Sequence, residues 1–352
     1  MYALLTSTLL LTSTVAVDPL SPRYEGNCQA PQWAPDGSKI AYEVNYHDRK
    51  VIELYLITAS GQVENVLPAG ASGGSLTSGF STSGGSGVIH ELSWSPASYQ
   101  NYVYSASDAR KDYNLHLKGG TPVATASGTD GAPAWSPTGN HIVFTSARTG
   151  QGDLYLLDVR DISGAPKRLT NDGDASELYA AWSPNGKSLA YVGHSNVGDN
   201  LYYIPDVTKP KIQRLTRWKH MQTRPSFSPD GKYIAFYSNH KDPERFDLWV
   251  TSVTGTPKRL KNNVVMNSNG PVWYPSSDAL VVVADEDEQF DPIYKVTLTG
   301  AEKRLDTGTV GNGDHDLATL GDGRSYLALS AQGSTDGTVR DFQQIYVIPL
   351  PD

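Results

Sequence analysis

The chain of 352 residues has a single cysteine, Cys28, and only three methionines. One cysteine excludes an intramolecular disulfide and a zinc site built from thiolates, and it leaves the redox compartment open. Acidic residues outnumber basic residues by 37 to 29, for a formal net charge of −8, and we find no basic block or stripe. Because a net negative surface does not attract a phosphate backbone, the composition argues against a nucleic-acid partner.

Long hydrophobic runs are scarce as well. The apolar stretch 1–17 (MYALLTSTLLLTSTVAV) is too short to span a bilayer, so we expect no transmembrane segment. Its small residues at 14–16 suit a signal-peptide cleavage site, although no Lys or Arg precedes the apolar run. The segment is therefore a signal peptide, which would place the protein in the periplasm or at the cell surface, or a β-forming tail packed on the domain.

Glycine, proline and tyrosine are abundant, with 33, 22 and 20 residues, which is typical of short strands joined by many turns. In Phe227–Phe236 (FSPDGKYIAF), Pro229 sets the backbone for a tight turn and Asp230 and Gly231 accept the conformations that follow. Related stretches begin at Trp33, Trp94, Trp135, Trp182, Trp273 and Thr319. We call these residues and Phe227 the marker residues.

The repeat spacing predicts a propeller. The Pro residues of the turns, or their equivalents, lie at 35, 96, 137, 184, 229, 275 and 321, so most spacings are 41 to 47 residues. Each unit continues with a second strand, a third strand of Asp/Asn-Leu-Tyr type and, in most units, an outer strand such as Lys167-Arg-Leu-Thr170. Four short strands per repeat of this length indicate propeller blades. We predict an all-β protein with seven four-stranded blades; six blades is the alternative.

The seventh unit ends after its third strand, so another segment must supply its outer strand. In complete units the outer Leu precedes the next marker residue by 12 to 14 residues, and 13 residues before Trp33 stands Leu20. The segment Val15–Ser21 is therefore predicted to close the ring and to remove its exposed edges. The Gly/Ser-rich stretch 68–90 is predicted to be a flexible loop within a single domain, 18–352.

These repeats resemble those of the TolB family of six-bladed propellers, whose motif is an aromatic residue, Ser-Pro-Asp-Gly, a cation and an apolar-aromatic strand. Phe227–Phe236 matches the motif throughout, while 32–42 and 181–191 match closely. The likeness covers about residue 30 to 352. It implies a bacterial-envelope propeller that serves as a platform for protein binding. The chain departs from TolB in the expected seventh blade and in the absence of a separate N-terminal α/β domain, and no partner-contact residues carry over.

The same repeats are also similar to those of prolyl oligopeptidases. In that family the propeller gates a serine hydrolase domain. We identify no such domain in this sequence. Gly84–Val88 (GGSGV) lacks the final glycine of a nucleophile elbow and falls in the Gly/Ser-rich stretch.

Candidate binding residues follow from the repeat register. Loops after the second and fourth strands share one face, which we call the top face, and the residues just before each innermost strand line the channel mouth there. The candidates at the mouth are His90, Glu91, Tyr179, Arg224, His315 and Asp316, and the top loop 217–220 adds Trp218 and His220. Imidazoles paired with carboxylates could perform acid/base chemistry or hold a cation. The alternatives are a hydrated, ion-paired funnel and a tryptophan that merely covers it.

A metal site is a weaker prediction. Six of the eight histidines fall in or beside top loops, and an acidic loop contains Asp285, Glu286, Asp287, Glu288 and Asp291. Carboxylates of this kind bind Ca²⁺ or another divalent cation in some proteins, but the EF-hand spacing is absent and solvated charge is the simpler interpretation.

Two functional hypotheses remain. The first is a non-enzymatic scaffold of the bacterial envelope or cell surface, without a cofactor, that binds a protein or peptide at the top face or channel mouth. The second is a metal-assisted carbohydrate-active enzyme, a lyase or hydrolase, that uses the channel histidines and carboxylates.

Overall fold

The computed structural model describes residues 18–47, 51–66, 92–96, 101–107, 113–123, 127–171, 173, 175–286, 291–334 and 339–350. These residues form seven four-stranded antiparallel sheets, arranged as the blades of a propeller. The prediction of seven blades is confirmed. In the described ranges the only helix is a single 3₁₀ turn, Val159–Asp161, and no helix is long and apolar enough to cross a membrane.

The first four blades are regular meanders from the channel outwards. Blade 1 contains β1 (Asn27–Trp33), β2 (Lys39–Tyr46), β3 (Val51–Thr58) and β4 (Val63–Asn65). Blade 2 contains β5 (Leu92–Trp94), β6 (Tyr102–Ser107), β7 (Tyr113–Leu117) and β8 (Thr121–Val123). Blade 3 contains β9 (Asp130–Trp135), β10 (His141–Ser146), β11 (Asp153–Asp158) and β12 (Lys167–Arg168). Blade 4 contains β13 (Ser176–Trp182), β14 (Leu189–His194), β15 (Asn200–Ile204) and β16 (Gln213–Arg214).

The last three blades complete the ring. Blade 5 contains β17 (Gln222–Phe227), β18 (Ile234–Ser238), β19 (Asp247–Thr251) and β20 (Lys258–Lys261). Blade 6 contains β21 (Val272–Trp273), β22 (Ala279–Val283), β23 (Ile293–Thr297) and β24 (Glu302–Leu305). Blade 7 contains β25 (Thr309–Val310), β26 (His315–Thr319), β27 (Ser325–Ser334) and β28 (Val339–Pro349), with β25 and β26 both paired to β27.

The Ser-Pro-Asp-Gly turns owe their shape to two short side chains. In blade 5 the Ser228 hydroxyl donates to Asp230 Oδ1 over 2.7 Å and accepts the N–H of Tyr233 over 3.0 Å. The same Asp230 oxygen accepts the N–H of Lys232, and Gly231 takes the left-handed φ of +73° that the turn requires. The sequence motif therefore encodes the hydrogen bonds that connect the first strand to the second.

Both faces of each blade are buried because the side chains of each strand alternate between two neighbours. In β10, Ile142 and Phe144 pack against blade 2, whereas Val143 packs against blade 4. Apolar clusters of this kind occupy all seven junctions, including the one between blades 7 and 1. Indole N–H groups also bridge blades, from Trp94 to the Gln32 carbonyl, from Trp182 to that of Ala134 and from Trp273 to that of Ser226.

The ring closes through the segment that the sequence indicated. The backbone N–H of Leu20 donates to the Ile345 carbonyl of β28 over 2.7 Å, and the Ile345 N–H donates to the hydroxyl of buried Ser21 over 3.0 Å. Gln344 Nε2 adds a bond to the Pro22 carbonyl. The outer position of blade 7 is thus held by backbone and side-chain hydrogen bonds rather than by a regular strand, and residues 1–17 lie outside the described ranges.

Removing the closing hydroxyl tests this arrangement. The variant Ser21→Ala leaves the buried N–H of Ile345 without its acceptor, so we expect a loss of about 1–2 kcal/mol in the free energy of unfolding. Urea denaturation followed by circular dichroism measures this loss. The matched control is Ser60→Ala, which removes an exposed hydroxyl from a turn of blade 1. Equal effects in the two variants would contradict a role of Ser21 in closure.

Candidate functional site

The innermost strands of five blades carry the same backbone irregularity where they face the channel. A left-handed φ is found three residues before the marker residue at Ala30, Ala132, Tyr179, Arg224 and Gly270, with φ between 48° and 86°. The register of pairing with the second strand of the blade shifts at the same place. The shift lies between residues 29 and 32 in β1, between 178 and 181 in β13 and between 223 and 226 in β17. Such β-bulges redirect side chains and are frequent beside functional sites. Two of the sequence candidates, Tyr179 and Arg224, stand at these positions.

The structure brings Tyr179 and Arg224 together. The guanidinium carbon of Arg224 lies 4.8 Å from the centroid of the Tyr179 ring, and Arg224 Nη1 donates to the Ser268 carbonyl. Arg224 is buried, although its backbone is in the left-handed region that side chains disfavour. Gly270 of blade 6 lies close to the Arg224 backbone: a Cβ at this position would be 3.1 Å from the Arg224 carbonyl oxygen. Blades 4, 5 and 6 therefore meet around one cation.

Two carboxylates that the sequence analysis missed lie in the same region. Asp314 accepts the N–H of Ala30 over 2.9 Å and the N–H of Ser268 over 2.6 Å, and so joins blades 7, 1 and 6. Glu43 is buried and accepts a bond from Gln29 Nε2 over 3.1 Å. Burial raises the pKa of Glu43 to about 7; the Gln29 bond and the charge of Arg224 oppose this shift, while Asp314 adds to it.

Asp316 lies further along the channel, towards the Ser-Pro-Asp-Gly turns. Its Oδ2 accepts the N–H of Trp33 over 2.8 Å and its Oδ1 accepts the N–H of Leu317 over 2.9 Å. Desolvation raises the pKa of Asp316 to about 7, against the effect of these two backbone bonds. The carboxyl group borders a cavity of about 220 Å³ at this end of the channel.

The placement of His315 at the channel mouth is wrong. Its side chain is fully buried, and the ring nitrogens lie 3.2 Å from the carbonyl oxygens of Gly313 and Val281. The physical reason is that β26 pairs with β27 in unbroken register, without the bulge of blades 1, 3, 4 and 5, so its side chains alternate differently. Burial lowers the pKa of His315, while the contacts of the ring with the Gly313 and Val281 carbonyls oppose this shift. The predicted equivalents in blade 2, His90 and Glu91, lie outside the described residues.

Trp218 is half-buried rather than exposed. Its ring stacks on His240 with centroids 4.1 Å apart and packs against Phe236 and Trp249 of blade 5. His220 lies beside this group, 6.4 Å from His240 between ring centroids. Burial lowers the pKa of His240, and the charges of Lys241 and His220 lower it further. The loop 217–220 thus covers the end of an apolar cluster and presents polar edges at the top face.

The acidic loop of blade 6 is only partly described. Glu286 lies 3.9 Å from Lys261, and burial together with the charge of Asp285 raises the pKa of Asp291. Asp287 and Glu288 lie outside the described residues. Within the described ranges, no group of three or more His, Cys, Asp or Glu side chains is arranged to hold a metal ion.

A sequence signal existed for one of the missed residues. Glu43 occupies a strand position that holds Val192 in blade 4 and Val283 in blade 6, so a charged residue there departs from the repeat. Asp314 precedes β26 in a polar loop, where nothing in the sequence distinguishes it. The spacing Gly-x-Ser-x-Gly does occur once, at Gly70–Gly74, in a stretch outside the described residues.

The comparisons with known proteins agree with this architecture. The family model described as TolB beta propeller domain matches residues 85–312, more than half of the chain. The chain belongs to the TolB beta-propeller family. Tol-Pal system protein TolB of Francisella tularensis subsp. mediasiatica is 26% identical over 194 residues, which cover 54% of this chain and 44% of that protein. The chain spans about half of the length of the curated relatives that it matches first.

Solved structures show the fold alone, because their sequence identities are low. TolB from Acinetobacter baumannii has a TM-score of 0.54 at 20% identity, covering 76% of this chain and 62% of that one. A puromycin hydrolase has a TM-score of 0.58 at 11% identity, covering 90% of this chain and 54% of that one. The fold is therefore similar both to that of TolB and to part of a puromycin hydrolase.

The buried carboxyl of Glu43 makes stability depend on pH. Between its ordinary value of 4.5 and its folded value of about 7, the folded protein keeps a proton that the unfolded chain has lost, so stability falls as the pH rises through this range. The variant Glu43→Gln mimics the protonated form. We expect wild type to lose on the order of 1–3 kcal/mol more than the variant between pH 4.5 and 8.

Urea denaturation at a series of pH values measures this difference. The control is Glu64→Gln, which removes an exposed carboxylate paired with Lys39 at the surface; its profile should follow wild type. Parallel profiles for wild type and Glu43→Gln would exclude the raised pKa.

The left-handed backbone position of blade 6 at the channel can be tested through Gly270. Gly270→Ala must accept both a left-handed φ and a Cβ 3.1 Å from the Arg224 carbonyl oxygen. Gly61→Ala has the left-handed φ but no atom within 4 Å of its Cβ, and it isolates the conformational cost of about 1–2 kcal/mol. We expect Gly270→Ala to lower the free energy of unfolding by more than this control, and equal losses would show that the two blades do not crowd there.

Proposed function

We propose that the chain is a non-enzymatic interaction protein of the bacterial envelope, periplasmic or at the cell surface, that binds a protein or peptide at its top face and channel mouth. The observation that carries the proposal is the set of left-handed bulges along the channel. The left-handed φ costs each non-glycine residue about 1–2 kcal/mol, and four blades have such a residue at this position. Strain that recurs at one ring of positions is typical of a preorganised binding surface.

The side chains proposed to contact the partner surround that ring. Buried Arg224 holds the ring of Tyr179 in place, and Trp218 and His220 belong to the adjacent top loop. His90 and Glu91 remain candidates from the repeat register. An aromatic ring, a guanidinium group and a half-buried tryptophan are the side chains that contribute most to protein interfaces. Relatives named as Tol-Pal system TolB support the choice of a protein partner over a small substrate.

Peptidase relatives do not alter this choice. Dipeptidyl-peptidase 5 of Porphyromonas gingivalis is 28% identical, but the match covers only 21% of that enzyme. Among the described residues the imidazole of His194 bonds to Asp199, and no serine hydroxyl bonds to any imidazole. The second hypothesis, a metal-assisted carbohydrate enzyme, receives no support from the described side chains.

Capture from an envelope extract of the native host tests the proposal. The purified chain is immobilised, and retained proteins are identified by mass spectrometry for wild type and for the top-face variant Tyr179→Ala/His220→Ala. The matched control, Lys187→Ala/Lys232→Ala, alters two exposed turns on the opposite face. We expect the top-face variant to lose a specific partner by at least about tenfold while the control retains it.

Thermal unfolding of each variant shows that the fold is intact. Equal retention by both variants would contradict a top-face site. Cleavage of peptide or polysaccharide substrates by the purified protein would contradict a non-enzymatic role.

A further inference from the structure

The opposite end of the channel contains a polar cavity that the proposed function does not use. It has a volume of about 220 Å³ and lies where the innermost strands of blades 5, 6, 7 and 1 approach the Ser-Pro-Asp-Gly turns. The lining residues that matter here are Gln32, Ser226, Phe227, Asn269, Trp273 and Asp316. We call this cavity the channel floor.

Two lining residues of the channel floor, Asp316 and Asn269, have acceptor oxygens with capacity for a ligand. Asp316 accepts one backbone N–H at each carboxyl oxygen, from Trp33 and from Leu317. A carboxylate has about four acceptor positions, so two remain for a ligand. Asn269 donates through Nδ2 to the Pro31 carbonyl, which fixes its amide, and its Oδ1 is buried with no hydrogen-bond partner among the described residues. A buried acceptor without a donor is costly, and a ligand that donates would satisfy it.

The aromatic side of the cavity offers no competing donor to a ligand. The indole N–H of Trp273 is already bonded to the Ser226 carbonyl over 3.2 Å. Trp273 and Phe227 also line the cavity, and aromatic rings attract organic cations. Asp316 is the one charged residue among the described lining residues, and its carboxylate favours positively charged groups.

A metal ion fits the channel floor less well than an organic cation. Hard divalent cations take six or more oxygen ligands, commonly including several carboxylates. The described lining residues include one carboxylate, and the described part of the chain has no group of three potential metal ligands. A guanidinium or ammonium group needs only a few acceptors beside apolar surface, which is what this cavity provides.

We infer that the channel floor is a binding site for the guanidinium or ammonium group of an arginine or lysine side chain, with Asp316 and Asn269 Oδ1 as acceptors. The site lies at the end of the channel away from the top face and does not require the partner proposed above. A basic residue of a peptide that enters the channel, or a free cationic molecule, would present the same chemistry.

Calorimetric titration of the whole chain distinguishes these ligands. The probes are Nα-acetylarginine amide, Nα-acetyllysine amide and the neutral isostere Nα-acetylcitrulline amide. We expect millimolar binding of one or both cations, and binding of citrulline at least about tenfold weaker because its charge-assisted bond to Asp316 is lost. Equal binding of the arginine and citrulline probes would overturn the proposal without the use of any variant.

Three variants locate the site. Asp316→Asn should weaken binding of the preferred cation about tenfold, and Asn269→Ala should weaken it several-fold by removing the amide acceptor. The control Asp36→Asn removes an exposed carboxylate from a turn on the same face and should bind like wild type. If Asp316→Asn does not fold, Asn269→Ala decides the question.

Undiminished binding in folded Asp316→Asn or in Asn269→Ala would overturn the inference. Calcium binding in the absence of arginine or lysine binding would also overturn it, since the floor would then be a metal site. Either outcome would concern the channel floor alone. The capture experiment tests the top face with variants of other residues, so the two proposals can fail separately.

Discussion

A propeller is held together by the closure of its ring, and the other features of this chain depend on it. Each blade buries both of its faces, so a ring that failed to close would expose the apolar sides of blades 1 and 7 to water. The pairing of Leu20 and Ser21 with Ile345 joins the first described segment to the last strand. Closure also brings together, at the channel, residues that are far apart in the sequence.

The carboxyl groups of the channel are buried, which is unfavourable unless hydrogen bonds compensate for the lost solvation. Asp314 is tolerated because backbone N–H groups of two other blades donate to it, and Asp316 is held in the same way by Trp33 and Leu317. Glu43 has a single amide donor, and its raised pKa reflects that weaker compensation. The bonds of Asp314 to Ala30 and Ser268, and of Asp316 to Trp33, cross blade boundaries, so these two carboxylates also fix neighbouring blades relative to one another.

The two ends of the channel have different chemistry. Towards the middle and the top, Arg224 lies over Tyr179 beside the loop that contains Trp218, a combination suited to a protein surface. At the floor, the cavity is bordered by Asp316 and by Asn269, whose Oδ1 has no hydrogen-bond partner in the described part of the chain. Since TolB-type propellers and hydrolase propellers share the scaffold, these side chains rather than the fold distinguish the functions open to the chain.

The sequence by itself determined the class of fold, the number of blades and the closing segment, because turn motifs and strand alternation are local and repeat at a fixed spacing. The same register located the bulge positions of Tyr179 and Arg224. It failed for His315, since blade 7 lacks the bulge and its strand alternates differently. Only the tertiary structure placed Glu43, Asp314 and Asn269 at the channel, because these residues come from three blades and acquire their partners only when the ring has closed.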